Sequence, residues 1–316
     1  MKETGTFASS NGVNTIQYYV YHPEKTVQGT ADGKPRAIVQ ISHGMCEFIE
    51  RYEDFALFLN EQGILVCGND HLGHGASVRT PEEFGFFAEQ DGWKHMVDDL
   101  RQLTVIMKQR YPGVPYFLLG HSMGSFLARV YLSWYAKELD GALIVGTSGP
   151  NPALPASFPI TKAMIALKGN RYRSDMIRNI AFGTYNTKFK PHRTEHDWLS
   201  RDEQVVDTFE ADPRCTFTFT LQGFLDLFSM LKFVSDKQWA QMVPVDLPVI
   251  LMSGAMDPVG QYGKGVKEVH DRLALAGIKD LIIKLYDGCR HEILNETNRE
   301  TVYRDVLQWI EKHIES

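Results

Sequence analysis

Seven short apolar runs recur along the chain, and helical patterns separate most of them. The runs consist mainly of consecutive apolar positions rich in β-branched residues, rather than strictly alternating ones. This pattern is typical of strands that are buried on both faces of a sheet. The predicted strands are TIQYYVY (15–21), AIVQIS (37–42), ILVCGN (64–69), YFLLG (116–120), ALIVGT (142–147), PVILMSG (248–254) and LIIKLY (281–286).

Amphipathic segments lie between and after these strands. In residues 92–110, for example, Met96, Leu100, Leu103 and Met107 recur at spacings of three and four residues, as on one face of a helix. The alternation of strands and helices predicts an α/β fold, with a mostly parallel central sheet and helices on both faces. The predicted helices span 51–62, 92–110, 122–138, 263–276 and 297–314.

The alternation stops near residue 149 and resumes near residue 246, which divides the chain into two parts. Residues 1–148 and 246–316 would form the α/β core, and residues 149–245 would form an insert. Because the insert follows a strand at its carboxyl end, it should lie over the edge where open α/β sheets bind ligands. That position predicts a lid over a binding site.

Charge is distributed unevenly within the insert. From Lys162 to Arg193 there are eight Lys or Arg residues and one acid, Asp175. Seven acids and one base follow between Glu195 and Asp212. Such blocks are typical of solvated helix faces. The basic block also raises the hypothesis that the insert touches an anionic lipid surface.

A later part of the insert, FTFTLQGFLDLFSMLKFV, is rich in aromatic and aliphatic side chains. Most of them should form a core within the insert, and some are candidates to line an apolar tunnel. The candidates for the lining of an acyl-chain pocket are Phe217, Phe224, Leu227 and Phe228.

Composition and charge narrow the possible partners and location. The chain has 316 residues, of which 43% are hydrophobic, which is enough for a large buried core. The formal net charge of −6 argues against nucleic acid as the main partner. Four cysteines without a CxxC pair, a polar start and no apolar stretch of about 20 residues favour a reduced, cytoplasmic protein without a membrane span. Any membrane contact should be peripheral, and the sequence leaves the oligomeric state open.

The stretch LLGHSMGS places Ser122 between two glycines at the end of an apolar run. A Gly–x–Ser–x–Gly motif alone is weak evidence, since it arises by chance in roughly one chain of this length in ten. Here a predicted strand precedes the motif and a predicted helix follows it, as the turn that exposes a catalytic serine requires. Gly120 and Gly124 would allow the close approach of backbones in this turn, and His121 and Met123 complete the motif.

A serine hydroxyl needs a base, and that base needs an acid that orients it. In hydrolases with this strand–turn–helix motif, the acid and then the histidine follow the serine along the chain. Asp257 lies just after a predicted strand and His291 just after the next one, so both should reach the same sheet edge as Ser122. Asp287, which is nearer to His291 in sequence, remains an alternative acid.

Acyl transfer also needs backbone donors that stabilise the developing oxyanion. Met123, the residue after the candidate nucleophile, can supply one N–H group. Met45, in the loop after the strand at 37–42, is the candidate for the second donor. His43 and Gly44 would shape that loop and support the site.

A histidine-rich stretch, NDHLGHGAS, permits two interpretations. His71 and His74 are three residues apart and, together with His43, could mark a metal site. A zinc site would also need Cys or acidic ligands at characteristic spacing, and the glycines of this stretch suit a loop. We therefore expect a loop packed beside the site and no metal.

Together, GHSMGS, ISHGMCEFIERY, NDHLGHGAS, SGAMDPVG and the late His291 resemble the serine α/β-hydrolases, in particular the monoacylglycerol lipase and lysophospholipase group. The likeness covers nearly the whole chain and includes LSRDEQVVDTFEADP, which is similar to the cap of that group. The resemblance implies a triad of Ser122, Asp257 and His291, with oxyanion donors at Met45 and Met123. It also implies a helical cap that admits a single acyl chain, and no cofactor.

Two positions depart from the family's pattern. Cys46 stands where glycine is common in the HGxGE-like loop, although Glu47 keeps the acid, and Ser125 stands where glycine is frequent after GHSMG. Neither change removes a required group, so both bear on the shape of the pocket rather than on the chemistry. Cys289, two residues before His291, is expected to be a small buried side chain.

The leading hypothesis from the sequence is a carboxylic ester hydrolase whose partner is a small ester or a lipid with one acyl chain, such as a monoacylglycerol or a lysophospholipid. A peptidase or amidase with the same triad remains an alternative, because a fold does not set the scissile bond. The acidic block of the insert leaves room for recognition of a free amine. A non-catalytic ligand-binding protein on the same fold is a third hypothesis.

Overall fold

The structure is a computed structural model that describes residues 1–24, 33–150 and 154–314. Residues 151–153, at the start of the predicted insert, lie outside the described residues. Within the described ranges, eight strands form one sheet, and the five central strands are completely buried. The strands are β1 (Lys2–Ala8), β2 (Thr15–Tyr21), β3 (Ala37–Ser42), β4 (Ile64–Asn69), β5 (Tyr116–His121), β6 (Gly141–Val145), β7 (Val249–Gly254) and β8 (Leu281–Tyr286).

The strands pair in the order β1-β2-β4-β3-β5-β6-β7-β8, so that β1 and β8 form the two edges of the sheet. β1 is antiparallel to β2 and β2 is antiparallel to β4, whereas all other neighbours are parallel. In the register, Ile38 of β3 aligns with Leu65 of β4 and with Tyr116 of β5. The mostly parallel sheet predicted from the sequence is therefore confirmed.

All seven predicted strands are present, with ends that differ from the prediction by no more than two residues. β1 is an eighth strand that the apolar pattern does not predict. Its sequence KETGTFA is polar because it lies at an edge of the sheet, where most of its side chains remain in contact with solvent.

The five predicted helices are confirmed, and five more helices lie in the insert between β6 and β7, as far as the described residues show. No helix in those ranges combines the length and the apolar character that crossing a membrane requires. The helices are α1 (Glu53–Glu61), α2 (Gly92–Arg110), α3 (Met123–Tyr135), α4 (Leu154–Lys168), α5 (Asp175–Phe182), α6 (Glu203–Ala211), α7 (Leu221–Ser235), α8 (Gln238–Gln241), α9 (Lys264–Leu275) and α10 (Arg299–Ile314).

Helices cover both faces of the sheet. α1 and α10 lie on one face, where the rings of Phe55 and Tyr303 are 5.1 Å apart. α2, α3 and α9 lie on the other face with Leu100, Leu127 and Val266 in the core. Since both faces are covered, the central strands are buried at every position, and most of these positions are apolar, as the sequence pattern indicates.

The insert packs on the core through α7, which contacts α2 and α3. Arg129 of α3 is buried at this contact and donates hydrogen bonds to the carbonyls of Ser148 (2.9 Å) and Val234 (2.6 Å). Its guanidinium also lies 4.3 Å from the ring of Trp239. One core side chain therefore holds the insert near both of its ends.

The basic and acidic blocks of the insert pair with each other. Arg178 lies 3.1 Å from Glu195, and Arg193 lies 2.5 Å from Asp207. The side chains in these pairs are more than a third exposed, as expected for solvated helix faces. The pairing partly neutralises the charges of the basic and acidic blocks, which follow one another in the sequence.

Candidate active site

Four loops at the carboxyl edge of the sheet carry the predicted site residues. Met45 follows β3, Ser122 follows β5, Asp257 follows β7 and His291 follows β8. These strands run parallel, so their carboxyl ends meet at one edge. Met45, Ser122 and His291 line the same cavity, and Asp257 is hydrogen-bonded to His291.

Ser122 occupies a strained turn between β5 and α3. Its φ of 52° and ψ of −120° lie outside the regions that residues with a Cβ normally adopt. The turn packs closely against its neighbours: a Cβ on Gly124 would collide with the Ser42 carbonyl, and a Cβ on Gly120 would collide with the Gly124 carbonyl. Strain of this kind is typical of the turn that presents a nucleophilic serine.

Asp257 and His291 form a buried pair. His291 Nδ1 lies 2.9 Å from Asp257 Oδ2, and both side chains are at most 2% exposed. The carboxylate also accepts hydrogen bonds from the Val259 amide (2.8 Å) and the Ser253 hydroxyl (3.2 Å). Nδ1 therefore donates to the carboxylate, which leaves Nε2 to accept a proton. The alternative acid, Asp287, is exposed to solvent.

The imidazole of His291 has one unpaired nitrogen. Among the described residues, Nε2 is buried and makes no hydrogen bond. Two other rings pack against the imidazole: His121 lies 4.8 Å away and Trp198 lies 5.1 Å away, each tilted by 43°. An unpaired imidazole nitrogen in the same cavity as a serine meets the first requirement of a general base.

Met45 and Met123 both offer free amides near Ser122. Met123 is the first residue of α3, where an N–H group has no partner within the helix. Within the described ranges, neither amide donates a hydrogen bond. A Cβ on Gly44 would lie 3.0 Å from the Cβ of Ser122, so the loop after β3 passes directly beside the serine. The arrangement can stabilise an oxyanion on a group bound to Ser122.

Glu47 anchors the loop after β3 through its side-chain carboxylate. It accepts hydrogen bonds from the Gly44 amide and from the Tyr52 hydroxyl (2.8 Å), and its Oε1 lies 3.1 Å from His121 Nδ1. Burial disfavours the charged form of His121, but the hydrogen bond and charge of Glu47 outweigh burial and raise the pKa of His121. Likewise, burial opposes ionisation of Glu47, yet His121 holds the pKa of that carboxyl well below its usual value. The two side chains form a buried, hydrogen-bonded pair next to the serine turn.

Arg51 connects the loop after β3 with the loop that carries the histidine. Its Nη1 and Nη2 each lie 2.8 Å from an oxygen of Glu292, the neighbour of His291, and Nη1 also lies 3.0 Å from Glu47. Burial disfavours the cation, but the two carboxylates outweigh it and raise the pKa of Arg51. The bidentate pair constrains the distance between the two loops.

The three histidines considered as a metal site form a neutral cluster. His43 Nδ1 donates to the Gly44 carbonyl (2.8 Å), and its Nε2 accepts from the His71 amide (2.9 Å). The ring of His43 lies 4.1 Å from that of His71 and 5.3 Å from that of His74. Burial lowers the pKa of His43 to about 4 and that of His74 to about 3. No group of three His, Cys, Asp or Glu side chains in the described part of the chain is arranged to hold a metal ion.

A cavity of about 620 Å³ lies between the insert and the core. Of the four side chains predicted to line an acyl pocket, Phe217 and Leu227 lie in its wall. The prediction is wrong for Phe224 and Phe228, which are at most 3% exposed and pack together with ring centroids 5.9 Å apart. The sequence identifies α7 as apolar, but it does not indicate which face of the helix meets the cavity.

The remaining apolar wall includes side chains that the sequence did not single out: Phe126, Phe182, Leu231 and Val259. Leu231 could have been inferred, because it lies one helical turn after Leu227. Phe126 could have been inferred too, since it lies one turn after the candidate nucleophile. Phe182 and Val259 come from elements that are distant in sequence, so no local pattern identifies them.

The insert also supplies a polar part of the cavity wall. Its members come from α5 and from the segment between α5 and α6. They are Arg178, Asn179, Asn186, His192, Arg193, Thr194, Glu195 and His196. The cavity therefore combines an apolar wall near α3 and α7 with a polar wall from the first half of the insert.

All four cysteines are free and buried. Cys46 has a φ of 53°, and its Sγ donates a hydrogen bond to the Phe217 carbonyl at 3.2 Å. This side chain fills space between the loop after β3 and the insert that a glycine would leave open. The Ser125 hydroxyl donates to the Ser122 carbonyl at 2.6 Å. Cys289 is buried, as predicted, and burial raises the pKa of its thiol.

Residues 33–298 match the family described as "Serine aminopeptidase, S33" (Hydrolase_4). The chain is 27% identical over 309 residues to a monoacylglycerol lipase of Mycolicibacterium smegmatis, and the aligned region covers 98% of this chain and 97% of that protein. It is 25% identical over 285 residues to the monoglyceride lipase of Homo sapiens, with coverage of 88% and 83%.

Among solved structures, the fold resembles that of a highly thermostable carboxyl esterase from Bacillus coagulans in complex with glycerol. The two share 31% sequence identity, and the TM-score is 0.91 over 99% of each chain. Both the fold and the insert of this chain therefore have a counterpart of nearly the same length.

Proposed function

Because this chain belongs to the serine aminopeptidase (S33) family of α/β-hydrolases, we propose that it is a carboxylic ester hydrolase acting on lipids with a single acyl chain. The resemblance to α/β-hydrolases of the monoacylglycerol lipase group, drawn from the motifs, is confirmed by the family match and by the relatives. An esterase or lipase activity is named for both relatives and for the similar solved structure. The substrate class and the acyl-enzyme mechanism are the new parts of this proposal.

In the proposed reaction, Ser122 attacks the ester carbonyl while His291 takes the proton from its hydroxyl. The amides of Met45 and Met123 stabilise the oxyanion. His291 then gives its proton to the leaving alcohol, which leaves an acyl-enzyme that water hydrolyses in a second cycle. Asp257 holds the imidazole in the required tautomer and stabilises its charged form.

The observation that carries this proposal is the buried Asp257–His291 pair in the same site as a serine held in a strained turn. The pair leaves one imidazole nitrogen unpaired, and the two amides described above are free. A protein that only binds a ligand would need neither the free base nitrogen nor the strain.

The cavity supports a substrate with one apolar chain and a polar alcohol. Its volume of about 620 Å³ is within the range of small-ligand pockets. The apolar wall near α3 and α7 suits an acyl chain, and the polar wall suits the hydroxyl groups of an alcohol. In this proposal residues 149–245 act as the lid, so the insert selects the substrate while the core performs the reaction.

The acids of the cavity favour an esterase over an aminopeptidase. Recognition of a free amino group calls for a carboxylate that is not already paired. Among the described residues of the cavity wall, Glu47 and Glu292 are both bound to Arg51, and Glu195 is paired with Arg178. An amine would therefore have to compete with an existing ion pair.

A substrate panel tests the proposed function. It compares monoacylglycerols, lysophospholipids, short 4-nitrophenyl esters and aminoacyl anilides for the wild-type enzyme and Ser122→Ala. We expect the wild-type enzyme to have its highest kcat/KM with the single-chain lipids. In Ser122→Ala, kcat should fall about 10,000-fold or more, and fluorophosphonate labelling should disappear. Ser133→Ala, in helix α3 that follows Ser122 but outside the cavity wall, is the matched control. Undiminished turnover in Ser122→Ala, or faster cleavage of anilides than of every ester, would overturn the proposal.

The insert also exposes apolar side chains that suit a peripheral contact with a lipid surface. Leu167 at the end of α4 is 81% exposed, and Met176 and Ile180, one turn apart on α5, are 51% and 46% exposed. Exposed bases of the predicted basic block, including Lys162 and Lys168, lie on the same part of the insert. This combination favours an enzyme that meets its lipid at an anionic membrane surface.

Vesicle sedimentation tests this contact. We expect binding to vesicles that contain phosphatidylglycerol, weaker binding to neutral vesicles, and a decrease in binding as salt is raised. Leu167→Ser should reduce binding, whereas Leu275→Ser, which removes an equally exposed leucine (89%) from α9 of the core, should not. Equal binding to both vesicle types at all salt concentrations would contradict the proposed contact.

A further inference from the structure

The insert reaches the loop that carries the candidate base. In the segment 197–201, the carbonyls of Trp198 and Leu199 accept hydrogen bonds from the backbone amides of His291 (3.4 Å) and Glu292 (2.7 Å). The backbone next to the base is therefore bound to the insert as well as to the core.

Side chains strengthen the same contact from both directions. The guanidinium of Arg290, the residue before the base, donates to the Asp197 and Ser200 carbonyls, the latter at 2.9 Å. Arg201 donates from Nε to the fully buried Glu296 at 2.9 Å. These bonds fix the segment 197–201 against the histidine loop, so the position of the segment cannot change independently of the base.

The imidazole of His291 needs this support, because its hydrogen bonds do not fix it. The bond from Nδ1 to Asp257 holds one atom of the ring, and the ring can still tilt about that point. The direction of Nε2 therefore depends on the side chains that pack against the ring. His121 packs against the ring from the core at 4.8 Å, and Trp198 packs against it from the insert at 5.1 Å.

Trp198 is itself held firmly. Its amide donates to the Asn186 side chain at 3.0 Å, and its ring lies 4.9 Å from that of Tyr185 at an angle of 69°. Tyr185 in turn contacts Phe182, with ring centroids 5.6 Å apart. All three aromatic side chains line the cavity. These three side chains of the insert form a continuous aromatic wall that extends along the cavity to the imidazole of His291.

We propose that Trp198 is a positioning residue that orients His291, and that the base is competent only when the insert is docked on the core. Trp198 does not touch the reacting atoms in this proposal; it acts through the imidazole. Loss of a flat side chain at this position leaves the ring free to tilt, which misdirects Nε2 relative to Ser122. Because small misplacements of catalytic groups reduce the rate of the chemical step, the effect should fall on kcat rather than on KM.

The test uses a short ester, 4-nitrophenyl acetate, because its acyl group is too small to depend on the cavity wall. We expect Trp198→Leu to lower kcat about 10- to 100-fold with a nearly unchanged KM, and Trp198→Phe, which keeps a flat ring, to restore most of the activity. Trp134→Leu is the matched control: Trp134 packs 5.8 Å from Trp93, outside the cavity wall, and its loss should leave kcat unchanged.

A spectroscopic readout separates positioning from general destabilisation. In the NMR spectrum, the proton on His291 Nδ1 reports the bond to Asp257: its resonance should broaden in Trp198→Leu, whereas it should stay sharp in Trp198→Phe and in Trp134→Leu. If Trp198→Leu does not fold, Arg290→Met replaces it, since that change weakens the docking of the segment and should also lower kcat. Wild-type kcat in the folded variant, or a loss confined to long-chain esters, would overturn the inference.

This inference rests on the proposed function, and the two can fail separately. Ser122→Ala and His291→Ala serve as references in the same assay. If either retains wild-type turnover, the proposed function fails. If both lose turnover while Trp198→Leu keeps it, only the positioning role of Trp198 fails.

Discussion

Two acids compete in the sequence for the role of orienting His291, and their surroundings separate them. Asp257 is fully buried, and the Val259 amide and the Ser253 hydroxyl hold its carboxylate in front of the imidazole. Asp287 is nearer in sequence but is exposed to solvent. At the scale of single residues, the environment of each carboxylate decides which one can stabilise an imidazolium.

We expect Asp257→Asn to lower kcat about 10,000-fold, because an amide cannot stabilise the imidazolium or hold its tautomer. Asp287→Asn is the matched control and should leave kcat unchanged. The measurement is kcat and KM with a short ester, together with the melting temperature to confirm folding. A large loss in Asp287→Asn and none in Asp257→Asn would exchange the two roles.

Single residues were predictable where a motif or the order of the chain constrains them. Ser122 is marked by its glycines, and the strand pattern then directs attention to Asp257 and His291. Trp198 carries no such mark, because its importance comes from a contact between the insert and a loop about 90 residues later in the chain. The prediction for Phe224 failed for a related reason. The sequence shows that this side chain is apolar, but it does not show which neighbours the side chain contacts.

At the scale of elements, the contact between α7 and α2 contains a buried carboxyl group. Asp226 of α7 lies 3.4 Å from the Trp93 amide at the start of α2 and 3.4 Å from the side chain of Gln222. Burial, which outweighs these hydrogen bonds, raises the pKa of Asp226 to about 7. The folded protein therefore holds a proton that the unfolded chain releases near pH 4, so this contribution to stability is complete in acid and is lost as the pH rises through 7.

We expect Asp226→Asn to reduce the loss of stability between pH 6 and pH 8.5, because its side chain stays uncharged throughout. The effect in this range should be about 1.4 kcal/mol, because about one pKa unit separates pH 6 from the folded-state pKa of about 7, and the rest of the shift acts below pH 6. Denaturant unfolding at both pH values measures it. Asp236→Asn, at the exposed end of the same helix, should keep the wild-type dependence. An unchanged pH dependence in Asp226→Asn would show that another group is responsible.

Elements with a strong apolar period were predictable, and the exceptions have physical reasons. The buried strands and the amphipathic helices of the core follow directly from the sequence, since each must cover one layer of the sheet. β1 was missed because an edge strand is stabilised by its backbone pairing with β2 and needs few apolar side chains. The helices of the insert lack a sheet to pack on, so their apolar residues indicate burial without indicating an arrangement.

At the scale of the whole molecule, two sets of buried groups respond to acid in opposite directions. Burial lowers the pKa of His43 to about 4 and of His74 to about 3, so the stability linked to them is lost as the pH falls below 6.5. Burial raises the pKa of Asp70 and Asp99 to about 6, so these groups, like Asp226, add stability as the pH falls from about 6 to 3.8. Between about pH 6 and pH 4, the stability lost through the histidines and the stability gained through the aspartates largely offset each other.

We therefore expect the melting temperature to change little between about pH 6 and pH 4.5 and to fall steeply below about pH 4. In that lower range the aspartates of the unfolded chain are also protonated, and the buried histidines are no longer offset. A thermal scan from pH 3 to pH 7 checks this. Asp99→Asn removes one of the offsetting groups, so its decline should begin nearer to pH 6. A uniform decline from pH 6.5 in the wild-type protein would contradict the expectation.

The overall architecture was more predictable than the interior of the insert. Alternation of strands and helices implies a parallel sheet, and such a sheet places ligands at its carboxyl edge. The docking of the insert depends instead on single buried contacts, such as Arg129 with the carbonyls of Ser148 and Val234. A sequence does not reveal such contacts, because an arginine in a helix normally indicates an exposed face.

The two edges of the sheet have a consequence for behaviour at high concentration. An open strand edge can pair with the backbone of another molecule and begin aggregation. On β1, Lys2 forms an ion pair with Glu50 at 2.7 Å, and on β8, Lys284 forms one with Asp305 at 2.6 Å. Stripping water from these charges would make edge-to-edge addition of a second molecule costly. The molecule is thereby protected against fibril-like growth at high concentration.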